Sequence, residues 1–384
     1  MIDDPYAGYR RLRAHDPVHR SAGGEWFLTR YADVASLLKD KRFARESPGG
    51  PNPLTREPRP TVRLETLIRN WPVYRDPPAH TRLRAAPGKT FAAAEVESLR
   101  PRIQAVTDGL IKDVREQGGM EVMAEFAFHL PMLVISDILG LPSEDRTLFK
   151  RWSLDITRAV NNGTLEHMKM ADPSVQEAYG YFSAILDARR AHSQDDLISR
   201  LVSLGGDDAF SDEEIIANCV FYVWAGHETT KTLIANGLFS LLRHPEQRRA
   251  LQHDPSLIGG AVEECLRYES PVQKLGRWTR ESVTVGEKTI PEGSFVVGLL
   301  GAANRDPEQF PDPERFDIRR NPNRHLGFGV GLHHCLGASL ARLEAEIAIN
   351  TLFKRLPNLA LATDAIEWRP FTAFRSLEAL PVVF

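Results

Sequence analysis

At 384 residues, with 42% hydrophobic and 26% charged residues, the chain has the composition of an ordinary folded protein able to build a large core. A net charge of −3 gives no global attraction to nucleic acid or an anionic membrane, and no uninterrupted apolar run is long enough to span one. Three scattered cysteines, Cys219, Cys265 and Cys335, make no disulfide framework and fit a reducing compartment.

The N-terminal stretch MIDDPYAGYRRLRAHDP lacks the apolar core of a signal peptide, so a cytoplasmic location is expected. No repeat or Ser/Gly linker divides the sequence, which predicts one domain over 1–384. Residues 46–60 (ESPGGPNPLTREPRP) are too rich in proline and glycine for regular structure. From Ser211 to His244 helical periodicity runs for over thirty residues. Ser211 and Glu214 form an S-x-x-E capping box at its start, and Pro245 closes it. Asn218, His227, Glu228, Lys231 and Asn236 within it exclude a membrane span and leave the central strut of a helical domain. Glu264 and Arg267 in EECLR stand one turn apart, which by itself reads as a surface ion pair of little worth. Residues 283–300 (VTVGEKTIPEGSFVVGLL) and the C-terminal LEALPVVF are strand-like, whereas 304–325 reads as a long irregular loop. The fold class is therefore mainly α with a minor β part.

Residues 326–337, LGFGVGLHHCLG, form a glycine-rich loop, and a helix begins near Ala338. Cys335 thus lies at the positive end of a helix, which favours a thiolate acting as ligand or nucleophile. Zinc would need paired ligands that Cys219 and Cys265 do not supply. A dinucleotide fingerprint fails because His334 stands at the third glycine position, and the local signature of a papain-like nucleophile is absent. A single axial thiolate to haem iron survives. In AGHETT, residues 225–230, Lys231 stands where a zinc protease needs its second histidine. The apolar CVFYVWAG before it argues that Glu228 and Thr229 are buried and need a purpose, such as relaying protons.

With these residues in view the sequence resembles the cytochrome P-450 family of haem-thiolate monooxygenases, in particular its soluble bacterial members. The cysteine-loop pattern F-G-x-G-x-H-x-C-x-G is met by Phe328, Gly329, Gly331, His333, Cys335 and Gly337. The pattern A-G-x-E/D-T is met by Ala225, Gly226, Glu228 and Thr229, and E-x-x-R by Glu264 and Arg267. PERF resembles the segment that adds Arg315 to that pair, and DPPAHTRLR the segment that places His80 and Arg84 on the haem propionates.

The resemblance implies a cytochrome P-450 fold with haem b between the long central helix and the cysteine-loop helix. Cys335 would be the iron ligand, with Ala225, Phe328, Gly329 and Gly337 close to the haem. His80, Arg84, Arg277 and His333 would meet the propionates; Arg280 competes with Arg277, and spacing favours His333 over His334. Glu264, Arg267 and Arg315 would be structural, and Glu228 and Thr229 catalytic. One oxygen atom of O2 would enter a small organic substrate, in secondary-metabolite or xenobiotic oxidation. Electrons would come from ferredoxin and ferredoxin reductase docking on Arg82, Arg319, Arg320, Arg324 and Arg342. The protein would act as a monomer. Trp71, Val73, Phe221, Trp224, Val272, Thr372 and Phe374 are candidates for the substrate pocket. Trp224 either narrows the space over the haem or packs on a neighbouring helix. A peroxide-driven peroxygenase and a haem-based sensor are the rival functions, and neither needs the Glu228–Thr229 pair.

Overall fold

The structure, a computed structural model, describes residues 4–47, 63–162, 164–370 and 373–384. Most of the 46–60 loop and Thr372 lie outside them. The chain gathers into two compact units, each assembled from separated segments. One comprises Met1–Phe43, Glu97–Leu130 and Thr229–Phe384; the other comprises Ala44–Val96 and Pro131–Glu228.

In the first unit a small mixed sheet carries the strands Val18–Arg20, Trp26–Leu28, Phe295–Leu299 and Lys274–Thr279, in that spatial order. Trp26–Leu28 runs parallel to Phe295–Leu299, with Phe27 opposite Val297, and the other neighbours are antiparallel. Its inner face packs Trp26, Leu28 and Val296 on Val34, Leu37 and Leu38 of the helix Tyr31–Lys39. The strands expected in 283–300 are present as Val283–Val285, Lys288–Ile290 and Phe295–Leu299, and the C-terminal strand as Pro381–Val383. Residues 304–325 form irregular turns, as their Pro, Asp and Asn content dictates. Helix Arg100–Arg115 is tied to the cysteine-loop helix Ala338–Arg355 by Gln104 to Thr351 (3.1 Å) and Arg355 to Asp108 (2.7 Å).

The second unit is helical. Helix Arg146–Asn162 packs along Leu165–Ala191, whose start Thr164 caps by accepting from the His167 amide at 3.3 Å. The segment before Trp71, just beyond the proline-rich 46–60 stretch, contains the helix Arg63–Arg69. Leu64, Leu67 and Ile68, spaced i, i+3, i+4, give it a buried face.

The long helix runs Asp212–Arg243. Its capping box closes in both directions: the Glu214 amide donates to Ser211 Oγ at 3.2 Å, and the Ser211 amide to Glu214 Oε2 at 2.9 Å. Towards its C-terminal end Gly237 allows close packing, for a Cβ there would lie 3.2 Å from Cys265 Sγ and 3.3 Å from Ile349 of the cysteine-loop helix.

Candidate active site

The cysteine loop is shaped by its own backbone. The Cys335 amide donates to the Phe328 carbonyl at 2.9 Å and the Gly329 amide to the Leu326 carbonyl at 2.8 Å. Gly331 is required twice over: its φ is +79°, and a Cβ would stand 2.8 Å from the Leu38 carbonyl oxygen. Asn304 Oδ1 fixes the loop entry by accepting from the Leu326 amide at 2.7 Å, and the Arg342 guanidinium lies 4.5 Å over the Phe328 ring. Among the three cysteines only Cys335 is exposed. Burial pushes the thiols of Cys219 and Cys265 well up, so neither presents a thiolate. The helix Ala338–Arg355 starts three residues beyond Cys335, with Gly337 at its cap.

Behind this loop lies a fully buried carboxylate. Glu264 and Arg267 are each 0% exposed and form a two-pronged pair, both contacts 2.8 Å. Glu264 also accepts from the Asp317 amide (2.8 Å), Arg320 Nε (3.3 Å) and Asn323 Nδ2 (3.0 Å). Arg267 donates to the carbonyls of Asn304, Pro313 and Arg315, so one ion pair organises the 304–325 loop. The expectation for Arg315 is corrected: its side chain is 66% exposed, 3.8 Å from Asp317, and only its carbonyl joins the cluster. Arg320 is the third charged member. A neighbouring carboxylate, Glu263, accepts from Arg342 Nε at 2.6 Å and contacts His325 Nε2 at 3.1 Å. Burial would raise its pKa, but hydrogen bonds from His325 and Arg342 prevail and hold it at about 2. The Gly327 amide donates to His325 Nδ1 at 3.0 Å, so the proton sits on Nε2, facing Glu263.

The long helix shows one accessible stripe. Between residues 215 and 242 every position is buried except Phe221, Ala225, Gly226, Thr229 and Phe239. Three of these, Phe221, Ala225 and Thr229, follow one another at four-residue steps, so they share a face. Small side chains at 225 and 226 open that face, and Thr229 stands at its end. Glu228 and His227 point away from solvent, 3.5 Å apart. Trp224 takes the packed alternative: its indole N–H donates to Thr157 Oγ1 at 2.8 Å, and its ring stacks 5.1 Å from Trp71. Trp71 itself is completely buried and forms part of this wall, in contact with Phe221 at 5.2 Å.

The remaining predicted residues divide by environment. His80 and Arg277 are buried, Arg84 is half-buried, and Arg280 is exposed on the surface. Arg277 donates to the Gly276 carbonyl at 2.9 Å. The ring nitrogens of His80 and His333 are shielded from solvent, whereas His334 is exposed. Val272 and Phe374 meet in an antiparallel bridge and are half-buried, as is Val73, whose carbonyl accepts from Arg45. Of the arginines expected to attract an electron donor, Arg82 is paired with Glu214, Arg320 with Glu264 and Arg342 with Glu263; Arg319 and Arg324 are exposed.

Sequence reasoning named Arg320 only as a docking residue and missed its contact with Glu264, along with Asn323, His325 and the His227 contact. Nothing in an irregular loop distinguishes one arginine or asparagine from the next, whereas His227 stood in plain sight within AGHETT.

The donor set fits haem. One thiol is presented on a backbone-shaped loop of the first unit, and in the same unit the Arg277 guanidinium, suited to a carboxylate, is held out of water. Among the described residues no group of three or more His, Cys, Asp or Glu side chains could hold a metal ion. Fold and site together define a haem-thiolate oxygenase.

The comparisons carry this further. The Cytochrome P-450 family's sequence model matches residues 120–259 and 256–357. The biotin biosynthesis cytochrome P-450 of Bacillus subtilis (strain 168) is 40% identical over 389 residues, covering 100% of this chain and 97% of that protein. The monooxygenase PikC of Streptomyces venezuelae is also 40% identical, covering 99% and 91%. Among solved structures, P450BioI bound to an acyl carrier protein ligated with hexadec-9Z-enoic acid matches with a TM-score of 0.94 at 39% identity, covering 100% of this chain and 99% of that one. A myxobacterial enzyme, CYP267B1 in complex with myristic acid, matches with a TM-score of 0.88 at 42% identity, covering 99% and 96%. The chain belongs to the cytochrome P-450 family, and it is a haem-dependent monooxygenase. No helix among the described residues is long and apolar enough to cross a membrane.

Proposed function

We propose that the whole chain acts as one catalytic domain that binds haem b through Cys335 and oxidises a small organic substrate with O2. The observation that carries this reading is the presentation of Cys335 alone, on a loop whose backbone and glycines leave the thiol exposed. When bound, thiolate-ligated haem supplies the reductive activation of O2. The protein supplies everything else. His80, Arg84, Arg277 and His333 would neutralise the two propionates; the burial of Arg277 and exposure of Arg280 support the first over the second, because a desolvated carboxylate requires a desolvated cation. The backbone at Phe328, Gly329 and Gly337, and Ala225, would help hold the haem. Thr229 Oγ1 would donate and accept hydrogen bonds at the oxygen site, and a Glu228 carboxyl oxygen would hold the proton delivered there.

Phe221, Val272 and Phe374 would contact the substrate, with Trp71 and Trp224 as a rigid wall behind Phe221. The substrate would be an apolar secondary metabolite or xenobiotic. Electrons would come from ferredoxin and its reductase, guided by the exposed Arg319 and Arg324. We place the protein in the cytoplasm as a monomer.

The test is the absorption spectrum of the purified, reduced protein under carbon monoxide. A strongly red-shifted Soret band, lost in Cys335→Ser, is expected. Haem without that band would overturn the thiolate assignment, and absence of haem would overturn the reading entirely.

A further inference from the structure

His227 occupies the unassigned position of AGHETT, 1% exposed. Its Nδ1 lies 2.7 Å from the Val223 carbonyl oxygen one turn earlier. A carbonyl has no proton to give, so Nδ1 carries the hydrogen. That fixes the other edge of the ring. In the neutral tautomer Nε2 offers only a lone pair, yet it faces two groups: Ser153 Oγ at 3.3 Å, which can donate to it, and Glu228 Oε2 at 3.5 Å. An ionised carboxylate against a bare imidazole nitrogen, both withdrawn from water, would set lone pair against lone pair. One proton between Nε2 and Oε2 turns that repulsion into a hydrogen bond.

We infer that His227 and Glu228 hold one proton in common and that His227 is thereby a positioning residue for proton delivery by Glu228, with Ser153 orienting the ring. The inference deepens the proposed role of Glu228 and rests on it. When the reaction takes a proton, the shared proton passes from Nε2 to Oε2 and from Glu228 to the oxygen site, leaving Glu228 ionised. His227 is left neutral with hydrogen on Nδ1, and one solvent proton restores the pair. The other charged groups on the surrounding elements include Lys231, Asp155 and Asp137, with Lys150, Arg151 and Arg158 exposed along the Ser153 helix. Lys231 is buried one turn along the same helix, Asp155 is engaged by Ser174 (2.6 Å) and Arg158 (3.5 Å), and Asp137 is exposed. Ile135, packed where a Cβ at Gly226 would be 3.1 Å away, closes the neighbouring side with hydrocarbon.

The experiment uses the haem-loaded enzyme labelled with 15N-histidine and 13C-glutamate, in the diamagnetic reduced carbon-monoxide form, with His227→Gln and Glu228→Gln for assignment. The wild type should show a proton on the pair at neutral pH, either as a protonated Nε2 or as a protonated Glu228, and Glu228→Gln should convert Nε2 to a bare acceptor. A bare Nε2 beside an ionised Glu228 in the wild type would overturn the inference. The second readout is the partition of O2 between peroxide and water, driven by ferredoxin and reductase without organic substrate. His227→Gln should move it toward peroxide by about tenfold and flatten its pH profile, less than a directly acting acid contributes, while the carbon-monoxide band stays in place. Ser153→Ala should move it in the same direction by less. If Glu228→Gln and Thr229→Ala move the partition and His227→Gln does not, the inference fails while the proposed relay stands. If none of the three moves it, the relay itself fails.

Discussion

Two glutamates in the same unit, Glu264 behind the cysteine loop and Glu344 on the cysteine-loop helix, are buried to nearly the same degree and live in opposite conditions. Glu264 accepts from Arg267, Arg320, Asn323 and a backbone amide. Glu344 Oε2 meets no hydrogen-bond partner among the described residues, and burial raises its pKa well above the usual carboxylate range. The difference teaches that burial alone does not decide what a carboxylate does for a fold. With donors on every side it organises a loop that has no secondary structure; without them burial favours its protonated form.

The largest effect that would test this contrast is Glu264→Ala, which leaves Arg267 buried without its counter-charge. We expect destabilisation of about 3–5 kcal/mol in urea unfolding, and loss of bound haem as the 304–325 loop and the cysteine loop lose their anchor. Arg320→Ala should cost about 1.5–3 kcal/mol, the value of a hydrogen bond to a charged group, with haem retained. Equal stability of Arg320→Ala and wild type would return the third place to another residue.

Glu344→Met carries the opposite sign. The folded carboxyl titrates above its unfolded value, so wild-type stability falls as pH rises past about 4.5 and continues falling until the folded group ionises. A methionine side chain does not titrate and has no such slope, so the variant's advantage should grow by up to about 1.4 kcal/mol per pH unit over that window. Parallel stability curves from pH 5 to 8 would show that Glu344 is solvated after all.

Glu263 supplies an intermediate case, a carboxylate held down at about 2. Its stabilising contribution is complete above its usual value near 4.5 and is lost as pH falls toward 2. Glu263→Gln should therefore cost about 1–2 kcal/mol at pH 7 and nothing at about pH 2. Arg315→Ala is the smallest expected change, within about 0.5 kcal/mol of wild type, because its side chain lies in solvent and its carbonyl stays.

What was legible in the sequence was what local chemistry dictates. The capping box at Ser211 and Glu214 and the helix start at Ala338 are short-range statements, and the structure reproduces them within a residue. The cysteine loop was legible because glycine spacing and a single thiol restrict the chemistry strongly. Arg320 was not, since Arg315, Arg319 and Arg320 sit in one irregular loop and only tertiary placement selects among them. The choice between pocket and wall at Trp224 was likewise undecidable from spacing: the same helical position serves either, and Thr157 and Trp71, remote in sequence, decide it. The helix Arg63–Arg69 had a readable apolar face, but it follows a proline-rich stretch that suggested loop throughout.

The accessible stripe on the long helix sets the terms for redesign. A library spread over residues 215 to 242 would mostly sample core substitutions, and most of its members would be lost to misfolding before any could be screened. Phe221 is the exception among the large side chains of the stripe near Ala225: it can be shortened, lengthened or made polar while the Trp71–Trp224 stack behind it keeps the backbone where it is. On the proposed role of Phe221 as a substrate contact, new selectivity is to be sought first by randomising that single codon.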